Sequence, residues 1–107
     1  MQSVRRCFGR WRVELSDALR RELGRDPQLL ERVEKRAREL EEELNSDPHA
    51  IHRLLREPVV YEEPRVRRMR VGNYRVFFVV DVEGCRVVLL AVRHRRSAYR
   101  DLRKRFR

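Results

Sequence analysis

The sequence predicts an α+β domain: an antiparallel sheet with two helices packed on one face and a short helix at the C terminus. Two observations predict it. Three β-type runs follow one another between residues 65 and 93, separated by the turn signals Val71-Gly72-Asn73 and Glu83-Gly84. Gly and Asn tolerate positive φ, and β-branched and aromatic runs between such turns mark a meander of antiparallel strands. Ahead of the meander, Asp26-Pro27 opens a stretch whose apolar residues recur at helical spacing. The full order is β-α-α-β-β-β-α.

Each element has its own signal. Residues 1–10 are basic and unpatterned and read as a loose N-terminal segment. Trp11 to Leu15 alternate, as a short strand does. Ser16 is a helix-capping residue ahead of Leu19 and Leu23, and Gly24 can close that helix. Asp26 supplies the next capping carboxylate and Pro27 fills the first helical position. Leu29, Leu30, Val33, Ala37, Leu40 and Leu44 then form one stripe over about four turns, ended by Asn45-Ser46-Asp47-Pro48. Residues 49–56 hold Ile51, Leu54 and Leu55, which suits a short helix or a packed loop. Pro58 and Pro64 bracket Val59-Val60-Tyr61, an edge strand or extended connector. Strands are expected at Arg65–Val71, Tyr74–Val82 and Cys85–Arg93, and a short basic helix over Ala98–Arg107, where Leu102 and Phe106 stand four apart. In the middle strand Arg75, Phe77, Val79 and Asp81 face one way, and Tyr74, Val76, Phe78 and Val80 the other. Both sets are apolar after the first residue. The strand is therefore central and covered, with Arg75 the exception at its open end.

Composition bounds the function. The 107 residues are enough for one domain, 1–107, with one core. No run approaches the roughly 18 apolar residues of a membrane span, and no signal peptide opens the chain. A soluble, cytoplasmic protein is expected. Cys7 and Cys85 form no C-x-x-C pair, so no metal site is expected and they read as two buried or inert thiols. Net charge is +10, unevenly spread. Residues 1–64 carry 13 basic and 14 acidic side chains, whereas residues 65–107 carry 14 basic and 3 acidic. That asymmetry is the footprint of a polyanion binder. Of the 27 basic residues only Lys35 and Lys104 are lysine. Arginine suits bidentate phosphate contact and stacking on bases.

The order of elements, with the motifs in it, resembles the RelE/ParE toxin superfamily of toxin–antitoxin systems. The matching segments are W-R-V-E-L-S-D-A-L-R-R-E-L at 11–23, M-R-V-G-N-Y-R-V-F-F-V-V at 69–80 and V-R-H-R-R-S-A-Y at 92–99. The resemblance implies a RelE-like fold and a ribonuclease that cuts messenger RNA in the ribosomal A site. It implies an antitoxin partner that wraps the toxin, and no cofactor, metal or membrane. By position, Arg75 and Arg95 match arginines that contact the scissile phosphate, and Tyr99 matches a tyrosine that stacks on a base. Arg68 falls where RelE-type toxins carry a lysine proposed to move a proton, and Val66 falls at the second such lysine. Both depart from the family pattern.

RNA cleavage without metal needs an aligned 2′-hydroxyl, stabilised negative charge and a moving proton. Arg68, Arg75 and Arg95 can supply the first two, and Arg65, Arg67, Arg70, Arg93 and Arg96 can hold flanking phosphates. His94 is the group that titrates near neutrality, next to Arg95, and is the candidate acid or base. Each has a plainer alternative. Arg75 can pair with Glu62 or Glu63, Tyr99 can pack the last helix, and His94 can be a surface imidazole. The Arg65-Arg67-Arg68-Arg70 cluster can guard an edge strand. Two other functions stay open: a ParE-like protein that poisons DNA gyrase without cutting, and an inactive member that binds RNA or antitoxin.

Overall fold

The computed structural model describes Cys7 and residues 9–95. Its elements are β1 (Arg12–Leu15), α1 (Asp17–Leu23), α2 (Pro27–Ser46), α3 (Ala50–Leu54), β2 (Val59–Val60), β3 (Glu63–Val71), β4 (Tyr74–Asp81) and β5 (Arg86–His94). The C-terminal helix expected over Ala98–Arg107 lies outside the described residues. The strands form one sheet in the order β1-β5-β4-β3-β2. The class is α+β, as the sequence predicts. β2 to β5 pair antiparallel, while β1 runs parallel to β5, from Arg12 opposite Arg86 to Leu15 opposite Leu89. Among the described residues no helix is long and apolar enough to cross a membrane.

The helix ends form as their capping residues dictate. Ser16 Oγ accepts the Leu19 N–H at 3.1 Å, and Asp26 Oδ1 accepts the Leu29 N–H at 3.2 Å, ahead of Pro27. The two hairpin turns use their glycines differently. Gly72-Asn73 joins β3 to β4 with φ +59 at Gly72 alone, the pattern of a type II′ turn. In the β4–β5 turn the positive φ, 56°, belongs to Cys85. A Cβ on Gly84 would run into the Asp81 carboxylate, whose Oδ1 accepts the Gly84 N–H at 2.9 Å, so a side chain there would have to displace that cap.

At the corner between α2 and α3, Asp47 accepts the His49 N–H and a bond from Arg53, both at 2.9 Å. The His49 amide first, then Arg53, holds the Asp47 carboxyl below its usual range. A depressed carboxyl stabilises the corner above its unfolded pKa and stops doing so as pH falls through the folded value.

The sheet carries apolar clusters on both faces. Leu19, Val33, Leu40 and Leu44 of the helices pack on Met69, Val76, Phe78, Val87 and Leu89. On the second face Val60, Val66, Phe77 and Ala91 form a smaller cluster. Phe77 and Phe78 are adjacent in β4 and both are 0% exposed, so β4 is covered on both sides.

The reading of the cysteines as inert thiols is corrected. Cys7 and Cys85 form a disulfide, with Cα atoms 5.2 Å apart and a sequence separation of 78. The cause is the parallel pair: Arg12 stands opposite Arg86, which brings the segments before β1 and β5 together. Closing a loop of this size restrains the unfolded chain by about 4 kcal/mol on the chain-entropy argument.

β1 is an edge strand, and its outer side is closed by side chains of α2. Asn45 Oδ1 accepts the Trp11 N–H at 2.7 Å, and Asn45 Nδ2 donates to Trp11 O at 3.0 Å. Glu41 Oε1 accepts the Val13 N–H at 2.7 Å. Asn45→Ala leaves the part-buried Trp11 groups unpaired and is expected to cost about 1–3 kcal/mol. Urea denaturation checks this. An unchanged midpoint would mean that water replaces the amide at no cost.

Candidate nucleic-acid interface

Alternation on β4 puts Arg75 on the second face with Phe77, away from the helices. Its cross-strand partners are Arg70 on β3 and Arg93 on β5. Three arginines therefore hold adjacent register positions across three strands. Arg68, opposite Phe77, joins them one rung along. Like charges directly opposite one another destabilise a sheet, so packing does not account for this rung.

Arg93 reaches the rung because of an irregularity in β5. Phe77 pairs with Ala91 but Phe78 with Leu89, so Leu90 is an extra residue. The bulge reverses the alternation: Leu89 and Val87 lie in the helix-side core, while Ala91 lies with Phe77 on the second face. Without it, Arg93 would share the side of Leu89.

The rung is unequally compensated. Arg93 Nη1 donates to Glu22 Oε2 of α1 at 2.9 Å and to Val92 O at 2.8 Å, and its side chain is 15% exposed. Among the described residues Arg75 Nη1 is buried with no hydrogen-bond partner, so neither Glu62 nor Glu63 reaches that nitrogen. A buried guanidinium nitrogen without an acceptor is costly, and an anion would relieve it. Arg70 is exposed.

The remaining candidates divide. Arg65 and Arg67 alternate to the other side of β3, and Arg67 Nη1 donates to Glu57 O at 2.7 Å, bracing the end of the segment after α3. The basic cluster of β3 is thus split, with Arg68 and Arg70 on the rung face. The backbone N–H of exposed Arg95 donates to Asn73 O at 2.9 Å, which sets Arg95 beside the Gly72-Asn73 turn at the Arg75 end of the sheet. His94 is not brought together with Arg75. It stands opposite Tyr74 on the helix side, the two rings edge to face at 5.6 Å between centroids. Arg96 and Tyr99 lie outside the described residues. Glu22 was invisible to sequence reasoning, because its partner is 71 residues away.

Chemically the face offers donors. Guanidinium groups stay protonated and cannot accept a proton. They can hold a phosphodiester on two sides and stabilise added negative charge.

Residues 5–99 match the model of a family described as ParE toxin of type II toxin-antitoxin system, parDE. Among solved structures, the toxin–antitoxin complex RelBE2 from Mycobacterium tuberculosis is similar, at 28% sequence identity and a TM-score of 0.58. That match covers 81% of this chain and 93% of the other. No curated protein sequence matches.

The rung predicts a trade of stability for binding. Arg75→Met keeps most of the side-chain length and removes the guanidinium with its buried nitrogen. Its melting temperature without nucleic acid is expected to equal or exceed that of the wild type, while affinity for RNA falls. A melting temperature several degrees lower would show that Arg75 serves the fold.

Proposed function

We propose a ribosome-dependent, metal-independent endoribonuclease activity for this chain, which belongs to the ParE toxin family of type II toxin–antitoxin systems. The chain is a toxin of such a pair. The observation that carries the ribonuclease reading is the Arg70-Arg75-Arg93 rung, whose central buried nitrogen has no partner among the described residues.

In the proposed reaction the 2′-hydroxyl attacks the adjacent phosphorus and the bond to the 5′-oxygen breaks. The products are a 2′,3′-cyclic phosphate and a 5′-hydroxyl. Arg75, Arg95 and Arg68 stabilise the charge that builds on the non-bridging oxygens. Arg70, Arg93 and Arg96 hold flanking phosphates, and Tyr99 stacks on a base. One proton leaves the 2′-hydroxyl and one arrives at the 5′-oxygen. His94 is the residue assigned to this step, and its position against Tyr74 makes this step the one to test first.

The antitoxin is the proposed protein partner, as in the RelBE2 complex. β1 is closed by Glu41 and Asn45, which leaves the β2 side as the edge for an added strand. There Val59 is 44% and Tyr61 95% exposed.

A second reading has its own support. The matching family model is that of ParE, and Arg68 and Val66 stand where the RelE pattern has lysines. This reading makes the protein a non-cutting inhibitor of DNA gyrase.

Labelled messenger RNA on translating ribosomes separates the two. The wild type is expected to cleave it, and Arg75→Ala and Arg95→Ala to lower the rate by about 100-fold or more each. Tyr99→Phe should be mild and Tyr99→Ala severe. Loss of rate and of pH dependence in His94→Gln assigns it the proton, whereas unchanged cleavage assigns the proton to water or the ribosome. Intact RNA together with blocked gyrase supercoiling overturns the ribonuclease reading.

A further inference from the structure

We infer that the Cys7–Cys85 disulfide is a reversible redox latch, opened by thiols from a surface groove while the rest of the fold stays in place. The inference concerns a place in the molecule far from the arginine rung. It takes from the proposed function only that the chain works inside the cell, where the glutathione pool keeps thiols reduced. Disulfides in that setting are usually transient and responsive.

The two sulfurs sit in different surroundings. Cys85 is 7% exposed and belongs to the core on the helix side. Cys7 is half-buried. It lines a groove of about 730 Å³ whose walls include Trp11, Asn45, His49, Ile51 and Leu55. A small thiol can enter this groove and reach the bond from the Cys7 side, whereas Cys85 is covered.

The step balances as thiol–disulfide exchange. A thiolate of a dithiol attacks the Cys7 sulfur, the Cys7–Cys85 bond breaks and Cys85 leaves as thiolate, which takes a proton. The second thiol of the reductant displaces Cys7 and closes its own disulfide. Cys7 and Cys85 are each left as free thiols. Oxidised glutathione re-forms the bond: the Cys7 thiolate attacks it and releases one glutathione thiol, and the Cys85 thiolate then displaces the second from the mixed disulfide.

Opening the latch has defined consequences. Cys85 carries the positive φ of the β4–β5 turn, and its carbonyl accepts the Arg12 N–H at 2.9 Å where β1 begins. Reduction leaves that hydrogen bond to hold the start of β1 without the cross-link. It frees Cys7 from its cross-link at the groove wall. The arginine rung lies at the other end of the β4–β5 hairpin, roughly 23 Å away along β5. The latch therefore sets how long the fold survives, and leaves the geometry of the rung unchanged.

The test uses the full-length wild type, Cys7→Ser and Cys85→Ser. Oxidised wild type is treated with dithiothreitol under native conditions and followed by iodoacetamide labelling with mass spectrometry, and by thermal denaturation. The expected result is no labelling before reduction and two labels after it. The melting temperature should fall by about 10 °C or more. Both changes should reverse with oxidised glutathione. Dithiothreitol should leave the melting temperature of either single variant unchanged. Three results overturn the latch. One is two reactive thiols before reduction. Another is a melting temperature that does not respond to dithiothreitol. The third is a bond that dithiothreitol reduces only after the chain is denatured. None of these readouts depends on RNA cleavage, so failure here and failure of the proposed function are separable.

Discussion

The structure depends on β4 being buried on both faces at once. Phe77 and Phe78 are neighbours in sequence, point to opposite sides and are both fully covered. Burying an aromatic side chain of this size is worth about 2–3 kcal/mol, so the pair pins the strand. A slip of one residue would exchange the two faces and drive Arg75 into the helix-side core. With the register pinned, Arg75 must lie on the second face between Arg70 and Arg93. The polar end of the strand is thus fixed by its apolar middle.

The same logic explains what was legible in the sequence. The helix starts at Ser16 and Asp26, the Gly72-Asn73 turn and the two-sided apolar pattern of β4 are local signals, and the structure follows them. Arg68, Arg70 and Arg75 can be placed by counting along β3 and β4. Arg93 cannot, because Leu90 is an extra residue that no turn or glycine announces. The parallel pairing of β1 with β5, the Cys7–Cys85 bond and the Glu22–Arg93 contact join residues more than 70 positions apart. Arg67 read as part of a basic cluster, and the structure spends its guanidinium on the Glu57 carbonyl. Counting alone could not separate it from Arg68.

The molecule divides its tasks by sheet end and by face. The helix side carries the larger core, and its Asn45 and Glu41 close the β1 edge. The β4–β5 turn carries the disulfide, and the Gly72-Asn73 end carries Arg75 and Arg95. Concentrating like charge on one rung weakens the free protein, and within it Arg93 is held by the Glu22 carboxylate. On the proposed function an anion completes this rung: an RNA backbone or an acidic protein segment would provide it, and substrate and inhibitor would compete for the same donors.

The most direct measurement of that claim is the nuclear magnetic resonance of the arginine Nε–H groups during titration with a short RNA. Its 2′-hydroxyl at the cleavage point is replaced by hydrogen, so that it binds without being cut. The account predicts that the signals of Arg70, Arg75 and Arg93 shift together and saturate at one RNA concentration, and that added salt reverses the change. It also predicts that Arg67, held by the Glu57 carbonyl, stays in place. Shifts confined to Arg67 and the helices, with Arg75 unmoved, would contradict it.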